Sequence, residues 1–257
     1  MRVAALYDIH GNLPALEAVL NEVHRAGVDV IVIGGDVLPG PMPREVLARL
    51  SGVEVPIRFV MGNGDREVVS YRNGQESDAV PEPFRESMRW NASQLSDHDA
   101  AAIAGWPATI TLTLAAVGDV MFCHATPHND IDIFTQRTAD EVLMPVFADV
   151  SAPLVVCGHT HMQFDRTVGR TRIVNAGSVG MPFGEPGAYW LLIDGAIHLQ
   201  RTAYDLEAAA ARIRATGYPQ AEQFASASVL APPPEQQILE AFTQAELTRP
   251  GAPSQRI

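Results

Sequence analysis

An α/β fold assembled from βαβ units, with a sheet buried on both faces, is the expectation for this chain. Three observations carry it. Short β-branched runs alternate with apolar residues at helical spacing; polar side chains of ligating type stand directly after the strand-like runs; and 257 residues at 47% hydrophobic content suffice for one filled core with a small appendage.

The elements follow in chain order. Arg2 to Tyr7 reads as a buried strand. Asn12 then offers a helix N-cap before Leu13, Leu16, Val19, Leu20 and Val23, and Gly27 closes that helix. Val28 to Ile33 is a second strand, Pro43 to Leu50 a short helix, and Pro56 to Met61 a third strand running into Gly62-Asn63-Gly64-Asp65. Past Val69 the periodic signal fades, and patches such as Phe84 to Trp90 read as short helices, so 70–107 is expected to form a helical insertion over one sheet end. A strand-rich half follows, at Thr109 to Leu114, Val117 to Cys123, Leu154 to Cys157, Phe164 to Val168, Thr171 to Val174, Tyr189 to Ile193 and Ile197 to Thr202. Turns at Gly169 and at Asp194-Gly195 mark hairpins within it. Asp205 caps an Ala-rich helix reaching about Thr216, prolines 232 to 234 break the chain, and a last helix is expected near Glu235 to Leu247, with a disordered tail from Thr248. The expected division is a main domain at 1–203 and a C-terminal helical extension at 204–257.

The chemistry sits where strands end. Asp8-Ile9-His10 closes the first strand, and residues two apart on an extended chain face the same side, so both can grip one ion. Asp36 ends the second strand behind Gly34-Gly35, whose missing side chains let the backbone pass close to a metal pair. A carboxylate there has two oxygens with which to bridge two cations. Asn63 ends the third strand, His124 follows Phe122-Cys123, and His159-Thr160-His161 follows Val155-Val156 and Gly158. In open α/β sheets ligands collect at the carboxyl ends of strands. A single Asp-x-His is most often a capped turn, and a single Gly-Asp only a turn. Five strand ends carrying ligand-type residues in chain order need a common cause, and a metal site supplies one. His24, His98, His128 and His198 have no partner motif and are read as surface or internally satisfied histidines.

The set Asp8-x-His10, Gly35-Asp36, Gly62-Asn63-x-Asp65, His124 and Gly158-His159-x-His161 resembles the signature of the calcineurin-like metallophosphoesterases, over about residues 1–203. The resemblance implies a four-layer α/β/β/α sandwich. It also implies that Asp8, His10, Asp36 and His161 hold one metal while Asp36, Asn63, His124 and His159 hold the other. Asn175 to Gly180 looks like the glycine-rich turn of the small prokaryotic members, a group of short-chain phosphodiesterases. One departure stands out: the family's usual His after the motif Asn, a general acid for the leaving group, is replaced by Gly64. Without it, substrates with stabilised leaving groups are expected, or a proton from water or a neighbour; Asp65 and Arg66 are the nearest catalytic candidates beside Asn63. An ion pair fixing the loop is the competing reading of those two.

The resulting expectation is a hydrolase that cleaves phosphate esters, most readily small phosphodiesters, by attack of a metal-bridging hydroxide. Two divalent transition-metal ions are implied, manganese first, with iron, zinc, nickel or cobalt also compatible with the mixed N/O ligand set. Two such ions bring +4 against two carboxylates and one hydroxide, leaving local positive charge for an oxyanion. The net charge of −12 disfavours long polyanions, so a small phosphate ester is the expected partner and no long nucleic acid. No run approaches the roughly 20 apolar residues of a membrane span, and Met1 leads into Arg2-Val3 without a cleavage pattern, so a cytoplasmic location is expected. Cys123 and Cys157 each end an apolar run and read as buried thiols. Two other function classes compete: a phosphomonoesterase or phosphoprotein phosphatase, and a non-catalytic interaction scaffold on the same fold, although a scaffold would be expected to have lost ligands.

Overall fold

Alternation along the first strand forces burial on both sides. Val3, Ala5 and Tyr7 belong to one apolar cluster and Ala4, Leu6 and Ile9 to another, so neither face can meet water. The computed structural model describes residues 1–78 and 80–247 and shows how both faces are covered. The strands, in chain order, are β1 (Val3–Leu6), β2 (Val30–Ile33), β3 (Ile57–Phe59), β4 (Thr109–Leu114), β5 (Gly118–Cys123), β6 (Leu154–Cys157), β7 (Phe164–Val168), β8 (Thr171–Asn175), β9 (Ala188–Ile193) and β10 (Ile197–Thr202). The helices are α1 (Leu13–Ala26), α2 (Pro43–Ser51), α3 (Asn63–Arg72), α4 (Glu82–Gln94), α5 (Asp97–Ala104), α6 (Asp140–Phe147), α7 (Leu206–Arg214), α8 (Ala221–Phe224), continuing as a π-helical turn at Ala225–Leu230, and α9 (Glu235–Ala245).

Two mixed sheets result. One has the order β10-β9-β1-β2-β3 and the other β4-β5-β6-β8-β7. The strands that lead into ligand-type residues run parallel within each sheet: β1 with β2, β2 with β3, and β5 with β6. The sheets face each other across Val3, Ala5, Tyr7, Phe122, Val156 and Leu191. Each large apolar side chain fully buried there contributes about 1.5–3 kcal/mol relative to exposure. Tyr7 is the polar exception, and its hydroxyl is satisfied by donating to Val156 O at 2.9 Å. The outer face of the first sheet is covered by α1 and α2, and the helices at 63–104 and 206–230 share that same apolar cluster. The outer face of the second sheet is covered by α6, through Leu143 and Phe147 against Val155, Cys157 and Ile173. The layers are therefore α/β/β/α.

The expected first helix is present with its cap: Asn12 Oδ1 accepts from Ala15 N at 3.2 Å, and Gly27 sits in the left-handed region with φ 61°. Gly169 and Gly195 likewise turn the β7–β8 and β9–β10 hairpins with positive φ. Three features differ from expectation. Asn63 is the first residue of α3 rather than the end of the third strand, which stops at Phe59. The stretch 125–153 carries no periodic signal, yet holds α6, which tolerates Pro145 inside it. Residues 221–230 form a helical turn that the pattern does not announce. The tail expected to be disordered from Thr248 lies outside the described residues. Both cysteines are free and buried, and no helix among the described residues is long and apolar enough to cross a membrane.

Candidate metal centre

The ends of β1, β2 and β3 in one sheet and of β5 and β6 in the other open onto one point. Asp8 and His10 come from the turn after β1, Asp36 from the turn after β2, Asn63 from the start of α3 after β3, His124 from the end of β5, and His159 and His161 from the loop after β6. The structure brings all seven together. Asp8 Oδ1 lies 3.3 Å from His161 Nε2 and 3.9 Å from both His10 Nε2 and His124 Nε2. Asp36 spans the cluster, with Oδ2 3.7 Å from His10 Nε2 and Oδ1 3.6 Å from His124 Nε2. One end of the Asn63 amide is 3.1 Å from His124 Nε2 and 3.1 Å from His159 Nδ1. Two compact groups with metal-ligating geometry emerge, Asp8 with His10 and His161, and Asp8 with Asp36 and His124. His159 stands beside the second, its ring 5.1 Å from that of His124.

The pairing of Asp8 with His10, and of His159 with His161, does not come from an extended strand. Asp8, His10, Asp36, His159 and His161 all have φ between 46° and 65°, the left-handed region that costs most L-residues energy. Surrounding backbone contacts enforce it. Asp8 N donates to Gly35 O at 3.1 Å, His10 N to Asp36 O at 3.0 Å, and His159 N to Asp8 Oδ2 at 2.9 Å. The turn Asn175 to Gly180 ties the two sheets at this spot. Asn175 Nδ2 donates to Gly158 O at 2.6 Å, Ser178 Oγ to Asp8 O at 2.8 Å, and Gly180 N to Asp8 O at 2.9 Å. Glycine at 35 is required twice over, by its φ of 98° and because a Cβ there would stand 2.6 Å from His124 Nδ1.

The donor set fits cations on a specific observation. In three of the histidines the outer nitrogen faces a carbonyl: His10 Nδ1 with Pro39 O at 3.2 Å, His124 Nδ1 with Gly34 O at 3.0 Å, and His161 Nδ1 with Met181 O at 2.7 Å. A carbonyl only accepts, so Nδ1 carries a proton in each, and a ring with no second proton turns a lone pair inward at Nε2. His10 Nε2 and His161 Nε2 then face each other at 3.2 Å, and Asp8 Oδ1 is buried without a hydrogen bond. Inward lone pairs and an unpartnered carboxylate oxygen in a buried pocket demand positive charge.

Titration follows the same geometry. Burial pushes the Asp8 carboxyl up, but His161, His124 and His10 outweigh it and hold it well below the usual carboxylate range. Burial lowers His159 to about 4 and also lowers His10. His161 is depressed by burial, yet its contact with Asp8 reverses the sign and raises it.

The two residues singled out beside Asn63 are placed differently. Asp65 is fully buried and accepts from Leu38 N at 2.9 Å and Gly62 N at 3.3 Å; burial, and then Asp36, push its carboxyl well above the ordinary value. Arg66 is pinned at the surface, its Nε 2.8 Å from Asp130 Oδ2, its second arm 3.1 Å from Asp130 Oδ1 and a third nitrogen 2.8 Å from Glu67 Oε1. Gly64 has a steric cause: a Cβ there would run into Leu38 O and stand 2.9 Å from Pro39 Cδ. Sequence reasoning missed Asp130, whose main-chain oxygen lies 3.1 Å from that same end of the Asn63 amide. It also missed Met181, which acts through its carbonyl and so leaves no residue-type signal. The histidines without partner motifs lie outside the cluster. His128 pairs with Val146 O at 2.9 Å and His198 with Asp194 at 2.9 Å, while His24 and His98 are exposed.

Residues 1–195 match the Calcineurin-like phosphoesterase superfamily domain, and the chain belongs to that superfamily. The Methanocaldococcus jannaschii protein MJ0912 is 26% identical over 235 residues, spanning 82% of this chain and 91% of that one. Phosphodiesterase YfcE of Escherichia coli K12 is 39% identical over 77 residues, 26% of this chain and 42% of that protein. A solved metallophosphoesterase from Sphaerobacter thermophilus superposes with a TM-score of 0.69 at 26% identity, over 89% of this chain and 99% of that one.

Proposed function

We propose that this chain is a metal-dependent phosphoesterase acting on small phosphodiesters. Asp8, His10, Asp36 and His161 hold one divalent cation, Asp36, Asn63, His124 and His159 the other, and manganese is the first choice for both. The observation that supports this best is the inward pair of imidazole nitrogens, His10 Nε2 and His161 Nε2, 3.2 Å apart beside the unpartnered Asp8 Oδ1. When bound, the two cations would acidify a water between them and offset the charge of the substrate phosphate.

The chain's own groups do the rest. The carbonyls of Pro39, Gly34 and Met181 fix three imidazoles in the tautomer that presents Nε2. Gly64 N donates to Asp36 Oδ1 at 2.8 Å, which keeps that carboxylate turned across the cluster. Asp65 anchors the turn that carries Asn63, a positioning role. Arg66, braced by Asp130, places a guanidinium at the rim on the helix that begins with Asn63, where it can meet a phosphate oxygen. With no side chain at 64 to donate a proton, the departing alcohol must be a good leaving group, which favours aryl or otherwise stabilised esters. YfcE, similar over 77 residues, carries the name phosphodiesterase, which favours diesters over monoesters. Two free, buried thiols suit a reducing cytoplasm.

Metal analysis of the purified chain beside hydrolysis of an aryl diester, an aryl monoester, a cyclic nucleotide and single-stranded DNA, each with Mn²⁺, tests the reading. Asp36→Asn is expected to lose both bound metal and turnover. Full activity in that variant is incompatible with the proposal, and a monoester preference would move the substrate class.

A further inference from the structure

One flank of the cluster is lined by aromatic rings that the phosphoesterase reading does not use. The Phe183 ring stacks on His161 with centroids 5.6 Å apart and planes 22° from parallel. Phe242, on α9, meets Phe183 at 6.3 Å and 75°. Phe183 and Phe242 are half-buried, as are His159, His161 and Asn63, so this flank of the cluster reaches solvent.

The C-terminal helix is tied to both banks of that flank. On the Phe183 side, Gly184 N donates to Pro233 O at 2.9 Å, immediately before α9. On the other, Gln136 donates to Glu235 at 2.9 Å, Thr135 to Glu246 at 2.8 Å and Leu247 N to Ile133 O at 2.9 Å. That second bank is the loop containing Asp130, which touches Asn63 and holds Arg66. The helix thus lies along the 133–137 loop at both ends, is joined to the Phe183 segment just before it begins, and sets Phe242 against the Phe183 ring.

Resting on the proposed function, we propose that Phe183, braced by Phe242, is a specificity-determining wall that takes a planar, apolar ester substituent. A phosphate drawn to the cluster beside His161 would have this phenyl ring within reach of one of its substituents. That ring offers no hydrogen bond to a sugar hydroxyl or a second phosphate, but stacks well on an aryl group. The brace matters because a ring held in place costs less to order on binding.

Titration calorimetry of the full, manganese-loaded chain with phenylphosphonate and methylphosphonate, neither of which carries a hydrolysable ester, reads this without turnover. Phenylphosphonate is expected to bind about tenfold tighter. Phe183→Ala should bring the two within about twofold, Phe242→Ala should lower the ratio part of the way, and Phe183→Tyr should retain it. Because Phe183→Ala also uncovers His161, Phe183→Leu serves as the second variant: it keeps apolar bulk, loses stacking, and must lower the ratio as well. Equal affinities in the unaltered chain, or a preference that survives both Phe183 variants, overturn the wall alone. A chain that takes up no manganese overturns the metal reading and the wall with it.

Discussion

At the scale of single residues, this site depends on side chains that are fixed before any ligand arrives. Asp65 is an example, spending its oxygens on the Leu38 and Gly62 amides in a fully buried position. Asp65→Ala should destabilise the chain by about 2–6 kcal/mol, since each of the two buried amides left without a partner costs about 1–3 kcal/mol; denaturant melts of metal-free protein would register it. Gly64→His, which restores the residue common in the family, is expected to lower the melting temperature and fail to raise turnover, because the Leu38 carbonyl and Pro39 occupy the space. Burial pushes the Cys123 thiol up to about 12 from its ordinary 9. The sign follows: the folded thiol stays neutral while the unfolded one ionises, so this contribution is whole below pH 9 and fades as pH rises toward 12. Iodoacetamide at pH 8 should leave both cysteines unmodified until the chain is unfolded. The seven clustered residues were legible, because Asp, Asn and His after apolar strands are rare as a set. Their backbone state was not, since no residue type demands φ near +50°; Asp and His are merely over-represented there.

At the scale of elements, legibility tracks hydrophobic period. Helix α1 announces itself through Leu13, Leu16, Val19, Leu20 and Val23 between an Asn cap and a Gly stop, and the strands through β-branched runs. Helix α6 does not, because Pro145 interrupts it and its burial rests chiefly on Leu143 and Phe147, too few positions to set a period. Leu143 is nonetheless fully buried, and Leu143→Ala should cost about 2–5 kcal/mol in chemical denaturation. The α1 cap does more than start a helix. Asn12 Oδ1 accepts from Ala15 N while its Nδ2 donates to Gly180 O at 3.0 Å. Asn12→Ala therefore loses a cap worth about 1 kcal/mol and strands a buried carbonyl at about 1–3 kcal/mol more. The combined loss of about 2–4 kcal/mol, read by thermal melting, should come with weaker manganese uptake, since Gly180 neighbours the Met181 carbonyl that orients His161.

At the scale of the whole molecule, two sheets from distant parts of the chain present their ends to one buried pocket of carboxylates and imidazoles. Cations that bind only the folded chain stabilise it by mass action, by about 2.7 kcal/mol at a free concentration one hundred times Kd. Manganese should raise the melting temperature and EDTA should lower it, whereas Asp36→Asn should respond to neither. The layer order was readable only through motif resemblance, because strand periodicity does not reveal which strands share a sheet. The placement of α9 has a further consequence in time. A ribosome has already emitted every proposed cation ligand once His161 is made, and the Met181 carbonyl follows 20 residues later. Phe242 trails by another 61 positions. During synthesis the nascent pocket therefore passes through an interval in which its proposed ligands and Phe183 are made while Phe242, the ring that braces Phe183, is not.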